Sequence, residues 1–335
     1  MCTSAKIKSI EGHYYWARTM DFAQNFFECG GEIIYFPKHL QMDMLSGPLV
    51  SKYEVVGMGI QDTYLLTDGI NSEGLAGGCF YFEEATATSS QELTKKELQE
   101  VVLDELVVYI LSQCKSVDEI VGLVSQFACI DKGTSNKMVA TEGKQLPVHL
   151  TFTDKEGYSI VLEPDHDGQF TIYTHTNGIM TNSPKYEWHL TNLRNYVNMS
   201  DYTIQQLNIN NLEVKGIESG SGLLGLPGDY TSPSRFIKIA LLSNMMQPTA
   251  DKDALRSLYT VFNSVIIPKG IEKNTSDSSD YTAYWIGYDL ENRCLEVLST
   301  ANQTFTKVSL EEASRFFNNQ KGHTKVKNEN YFHEI

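Results

Sequence analysis

The hydrophobic pattern changes period along the chain, and the changes mark its elements. Short apolar or alternating runs lie at Ile33–Phe36, Tyr53–Met58, Leu75–Phe82, His149–Thr153, Ser159–Leu162, Thr171–Thr174, Tyr281–Tyr288 and Cys294–Leu298. Their length and their β-branched and aromatic content predict strands. Asp154-Lys155-Glu156-Gly157 is predicted to turn one of these runs back on the next as a hairpin. The first residues, Cys2 to Ile7, also read as extended. They break at Glu11-Gly12 and resume at Tyr14 to Phe22, which predicts an N-terminal hairpin. Helical spacing dominates from about Glu92 to Cys114, where Leu98, Val101, Val102, Glu105 and Leu106 mark an apolar face and its edge. Ser116 with Glu119 forms a capping box for a second helix. Later helices are predicted at about Pro233–Met246, with proline in the first turn, and at about Asp251–Val265. Strands, a helical pair, strands, further helices and closing strands make an α+β pattern with antiparallel hairpins. The pattern leaves the order of the layers open.

Composition narrows the picture. The chain has 335 residues, 41% hydrophobic and 21% charged, enough to bury a large core. Its prolines and glycines are scattered and no long polar stretch divides it, so residues 1–335 are expected to form a single domain. The net charge of −15, with no Lys/Arg stripe interleaved with aromatics, argues against nucleic acid and anionic membranes as partners. Neither a membrane-length apolar run nor a signal-like start is present, and the expected location is the cytoplasm. Six cysteines, at 2, 29, 79, 114, 129 and 294, include no C-x-x-C pair and no zinc spacing, so no metal is expected. Five of them are expected to act as small core residues. Gly220 to Gly225 matches G-x-G-x-x-G, but Pro227-Gly228-Asp229 follows at once, so the run is expected to be a loop and not a dinucleotide site.

Cys2 is the exception among the cysteines. Removal of Met1 would place a thiol and a free α-amine on one residue. An α-amine with a pKa near ~7.7 to 8.0 can take a proton at neutral pH without a histidine. The predicted hairpin can bring Arg18 and Asp21 to that residue, Arg18 to hold a thiolate and Asp21 to orient the amine. The plainer alternative pairs Arg18 and Asp21 with each other on a strand surface.

Four blocks in order carry a resemblance. They are Cys2; Ala17-Arg18-Thr19-Met20-Asp21-Phe22; Met180-Thr181-Asn182-Ser183-Pro184 with Glu187-Trp188-His189; and Gly225-Leu226-Pro227-Gly228-Asp229-Tyr230 with Ser234-Arg235-Phe236. Together they resemble the choloylglycine hydrolase family, whose members are bile salt hydrolases and penicillin V acylases. The resemblance implies the αββα sandwich of N-terminal nucleophile hydrolases and a linear amide as small-molecule substrate, with no cofactor. It implies that Asn182 is an oxyanion donor, that Arg235 lines the site, and that the backbone N–H of Tyr81 completes the oxyanion hole. Without it, Asn182 is an ordinary turn residue, Arg235 a surface partner of Asp229, and Tyr81 strand packing. Bile salt hydrolases typically carry asparagine where Tyr81 stands and penicillin V acylases tyrosine, so the resemblance is closer to the acylases. Conjugated bile salts and N-acyl homoserine lactones remain alternative substrates, and a non-hydrolytic binding or thiol-redox protein is the alternative of another class. The resemblance also implies a homotetramer, with about residues 198–218 as an assembly arm. His189 is read as structural, because the Cys2 amine supplies a base.

Overall fold

The computed structural model describes residues 1–89, 93, 97–133, 146–273, 278–302 and 304–327. Its N-terminal hairpin forms as the pattern predicts: Cys2–Lys8 pairs antiparallel with Tyr14–Phe22, setting Cys2 opposite Met20 and Ser4 opposite Arg18. Ser279–Asp289, Cys294–Ser299 and Thr306–Ser309 extend this first sheet, and Glu272–Lys273 pairs at its Ser279 end. The second sheet runs Gln169–Tyr173, Ser159–His166, Val148–Thr153, Ala76–Tyr81, Leu66–Asn71, Val55–Ile60, Gly31–Phe36 and Gly322–Thr324. The turn at residues 154–157 closes a hairpin with Thr153 opposite Ser159.

Both sheets are covered, which is why several strands read as unbroken apolar runs. Alternation along Ile33–Phe36 sends Ile33 and Tyr35 into one core, and Ile34 and Phe36 into another. Trp16, Tyr284, Tyr288, Met58 and Phe80 belong to the first core, which continues to the helices Ser232–Met245 and Asp251–Phe262 on the first sheet. Leu66, Leu150 and Phe152 join Leu106, Val107, Ile110 and Leu111 in the second, under the helices Leu106–Gln113 and Val117–Val124. The layers are therefore helix, sheet, sheet, helix, an α+β αββα sandwich. Among the described residues no helix is long and apolar enough to cross a membrane.

Two expectations need correction. Part of the stretch expected as a helix from Glu92 lies outside the described residues; within the rest, Gln99–Val101 is a strand paired in parallel with Phe127–Cys129, and the α-helix covers only Leu106–Gln113. Adjacent Val101 and Val102 are both fully buried, which a one-faced helix does not do, and their β-branched side chains suit the strand and its exit. Glu105 does not edge an apolar face either. Its carboxylate accepts from the N–H groups of Leu45 and Ser46 at 2.7 and 2.8 Å. Leu66–Asn71 is a further strand, one the hydrophobic pattern does not mark, although Asp68-Gly69 has the composition of a turn. Second, Cys114, Cys129 and Cys294 are buried as expected, whereas Cys29 and Cys79 are half-buried. The Ser116 cap forms, its Oγ accepting from the Glu119 N–H at 3.4 Å, but Glu119 reaches back to the N–H of Lys115 instead of Ser116. Gly220 to Gly225 lies in a loop with a single 3-10 turn at Ser221–Leu223.

Candidate active site

Strand alternation brings the predicted residues to Cys2 from two sides. Arg18 and Met20 share the face of Cys2 and Ser4, and Thr19 and Asp21 share the opposite face with Thr3. On the first face Arg18 Nη2 donates to Cys2 Sγ at 2.6 Å and to Met20 Sδ at 3.3 Å. The Arg18 guanidinium also lies 4.7 Å over the Phe80 ring. Burial opposes its charge, but the Cys2 sulfur, Tyr284 and Asp68 outweigh that, so its pKa is held above the ordinary value. Arg18 and Asp21 are on opposite faces and make no surface pair.

On the second face Asp21 is fully buried. It accepts from the Thr19 hydroxyl at 3.0 Å and the Thr282 hydroxyl at 2.6 Å, and stands 3.8 Å from Arg235. Arg235 rises from the first turn of Ser232–Met245 and donates to the Cys2 carbonyl at 2.6 Å, Thr3 Oγ1 at 2.5 Å and Asn182 Oδ1 at 2.9 Å. It is not a surface partner of Asp229, whose carboxylate accepts from Thr231 and Ser234 instead. Burial lowers the Arg235 pKa against the pull of Asp21 and Cys2.

Asn182 arrives on the free edge of Cys2–Lys8. A bridge sets Ser4 opposite Met180, and continuing that antiparallel register puts Asn182 opposite Cys2. Its Oδ1 accepts from the Cys2 N–H at 2.7 Å and its Nδ2 donates to the Tyr81 carbonyl at 2.9 Å. One Nδ2 proton remains for another acceptor. Tyr81 ends the strand Ala76–Tyr81. Since the next residue, Phe82, donates to Pro147, the ladder alternation turns the N–H and C=O of Tyr81 away from that neighbour and toward Asn182. Tyr81, Met20, Phe22, Ile60, Leu65, Leu66, Val148 and Met1 line an apolar cleft beside Cys2. All six predicted site residues are therefore assembled at one point.

Of the layer behind them, sequence reasoning marked only His189, as structural, and missed what it holds. The Asn182 backbone is held at both ends, its N–H by Ser232 Oγ at 2.9 Å and its carbonyl by His189 Nε2 at 2.9 Å. His189 stacks on Phe236 with ring centroids 4.7 Å apart, and its buried Nδ1 has no partner. Burial lowers its pKa from 6.5 to about 4. The unfolded chain therefore binds a proton that the folded one rejects between those values, and stability falls as pH drops through that window. The loss is on the order of 3 kcal/mol. Urea unfolding from pH 7 to pH 4 should show it in the wild type and much less of it in His189→Gln; equal slopes in the two proteins would remove His189 as the cause. Among the described residues no group of three or more metal-ligating side chains gathers.

The chain is similar to known proteins over nearly its whole length. A family model for linear amide C–N hydrolases of the choloylglycine hydrolase family matches residues 2–321. A bile salt hydrolase/transferase of Clostridium perfringens is 28% identical over 85% of this chain and 84% of its own. A penicillin V acylase of Pectobacterium atrosepticum is 23% identical over 76% of this chain and 65% of its own. The crystal structure of a mutant conjugated bile acid hydrolase from Clostridium perfringens superposes over 100% of both chains with a TM-score of 0.88 at 24% identity. With nearly its whole length matched, this chain belongs to the choloylglycine hydrolase family of linear amide C–N hydrolases.

Proposed function

We propose that this linear amide hydrolase is a cysteine amidase whose nucleophile is Cys2 after removal of Met1, and that it prefers a flat aromatic acyl group, as a penicillin V acylase does. The observation that carries the chemistry is the 2.6 Å contact from Arg18 Nη2 to Cys2 Sγ, with Asn182 held on the other side of the same residue. The thiolate attacks the amide carbonyl. The resulting oxyanion is held by the free Asn182 Nδ2 proton and the Tyr81 N–H, and one such donor contributes ~3 to 4 kcal/mol to the transition state. The α-amine takes the thiol proton and passes it to the leaving amine; water then hydrolyses the thioester. Arg235 donates to the Cys2 carbonyl from the opposite face with Asp21 3.8 Å from it, and Asn182, not Asp21, is the partner of the Cys2 nitrogen. The chemistry uses no metal or organic cofactor.

Substrate preference rests on Tyr81. Its ring gives the cleft a flat stacking face and fills space that asparagine would leave, and aromatic pairs add ~0.5 to 1.5 kcal/mol beyond area burial. That corresponds to roughly a two- to tenfold preference. The test measures kcat/KM for penicillin V and for glycine- and taurine-conjugated bile salts in wild type and Tyr81→Asn. The wild type should favour penicillin V, and the substitution should shift the ratio toward bile salts. Faster bile salt hydrolysis by the wild type would establish the second reading, which the 28% identity to a bile salt hydrolase favours.

The reading extends to assembly. The hairpin Gln206–Ile209 with Leu212–Lys215 exposes Leu207, Ile209, Leu212 and Val214, which supports residues 198–218 as the arm of a homotetramer in a cytoplasmic enzyme.

A further inference from the structure

Behind Arg18 lies a buried group that the proposed reaction does not use. Asp68, on Leu66–Asn71, is fully buried. Its Oδ1 accepts from the Tyr288 hydroxyl at 2.5 Å, and its Oδ2 from the Tyr284 hydroxyl at 2.7 Å and the Thr67 hydroxyl at 3.2 Å. Oδ2 stands 3.4 Å from Arg18 Nη1. The five N–H groups of Arg18 are already matched by five acceptors: Thr19 O for Nε, Thr67 O and Cys79 O for Nη1, and the Cys2 and Met20 sulfurs for Nη2. Asp68 therefore meets Arg18 as a charge and not as a further hydrogen-bond acceptor. The packing is shaped around the pair. A Cβ at Gly78 would stand 2.9 Å from Asp68 Cβ and 3.2 Å from Arg18 Nη1.

We propose that Asp68 is a positioning residue, which holds the Arg18 guanidinium against the Cys2 sulfur and offsets the positive charge that Arg18 would otherwise bring to bear on it. The proposal rests on Cys2 being the nucleophile. The charged and titratable groups around Cys2 are Arg18 and Asp21 from Tyr14–Phe22, Arg235 from its helix, Cys79, Tyr81 and Asp68 from the second sheet, Tyr284 from Ser279–Asp289, the N-terminal amine, and, further out, Asp104 on the cleft wall and Glu272 beside Arg235. Asp68 itself faces Arg18, Tyr284, Tyr288 and Cys79. With the thiol protonated, Arg18 and Asp68 balance each other, as do Arg235 and Asp21. Ionising Cys2 adds one negative charge, which the ammonium form of its own α-amine matches. The thiol thus gives its proton to the amine when attack begins. Without the Asp68 charge, Arg18 holds a permanent thiolate, more abundant but less nucleophilic.

The test is the pH dependence of Cys2 alkylation by iodoacetamide in the protein lacking Met1, with the Cys2 peptide resolved by mass spectrometry. In Asp68→Asn the alkylation midpoint should fall by about one to two pH units. Nucleophilicity falls with about half the change in pKa, so on the high-pH plateau, where the thiol is ionised in both proteins, kcat should drop roughly three- to tenfold with KM unchanged. Asp68→Glu, which keeps the charge, should leave the midpoint in place. A folded Asp68→Asn protein with an unmoved midpoint overturns the proposal. If circular dichroism shows Asp68→Asn unfolded, Tyr284→Phe combined with Tyr288→Phe decides. It strips the two donors that hold the buried carboxylate ionised, so Asp68 takes up a proton more readily and the midpoint should fall as in Asp68→Asn, and a rise or no change overturns the proposal. Failure of the amidase reading itself would show separately, as turnover that survives complete Cys2 alkylation.

Discussion

Cys2→Ala should lose amide turnover by more than about a thousandfold, the scale on which removal of a covalent nucleophile acts. The fold should persist. The side chain is buried, but alanine deletes one sulfur atom, and the hairpin pairing that sets Cys2 opposite Met20 uses only backbone. The Arg235 bond to the Cys2 carbonyl and the Cys2 N–H bond to Asn182 Oδ1 also survive, so the oxyanion donors stay where they were. Cys2→Ser should be nearly as inactive: a hydroxyl is a far weaker nucleophile when its only base is a neighbouring amine, and Arg18 Nη2 then faces a poorly ionised oxygen. The measurement is steady-state amine release from penicillin V and conjugated bile salts, with thermal melting to confirm folding. An alanine variant retaining more than a tenth of the wild-type rate would sink the nucleophile assignment.

The site was legible in the sequence where short-range pattern carries it. The break at Glu11-Gly12 between two extended runs gives the hairpin, and the hairpin alone puts Arg18 and Asp21 within a few residues of Cys2. What pattern cannot carry is pairing across long sequence separations. Asn182 reaches Cys2 through a bridge between Ser4 and Met180, and Arg235 reaches it from a helix in another layer. The motif resemblance supplied those positions, and periodicity did not. Asp68 escaped for a related reason. Asp-Gly reads as a turn because the exposed chain gains hydrogen bonds there, whereas here a guanidinium and three hydroxyls from Thr67, Tyr284 and Tyr288 make a buried carboxylate tolerable in a strand. The overlong helix failed on burial: spacing marks one apolar face, but Val101 through Leu111 is buried nearly all round.

A protein that keeps any residue in front of Cys2 should be inactive, and exposing Cys2 should raise its rate by about a hundredfold or more, the contribution of a positioned base. With Met1 attached, the Cys2 nitrogen is a peptide amide. It donates to Asn182 Oδ1 at 2.7 Å and has no basic lone pair. Met1, just ahead of the first strand, is itself held, its amine on the Asp21 carbonyl and its own carbonyl accepting from the Asp21 N–H at 2.8 Å. Its side chain shares the cleft with Met20, Phe22, Leu65 and Tyr81, the space assigned to the acyl group. Removing Met1 therefore does two things at once: it turns the same nitrogen into an α-amine already oriented by Asn182, and it empties the cleft. The thiol does not move, since Arg18 and Met20 hold the sulfur independently of the chain in front of it. A short N-terminal extension ending in a protease site immediately before Cys2 separates the chemistry from folding, because one folded sample is assayed before and after the cut. Intact mass should show that the active species begins at Cys2. Equal rates before and after the cut would mean that the α-amine is not the base, and a proton acceptor elsewhere in the site would have to be sought.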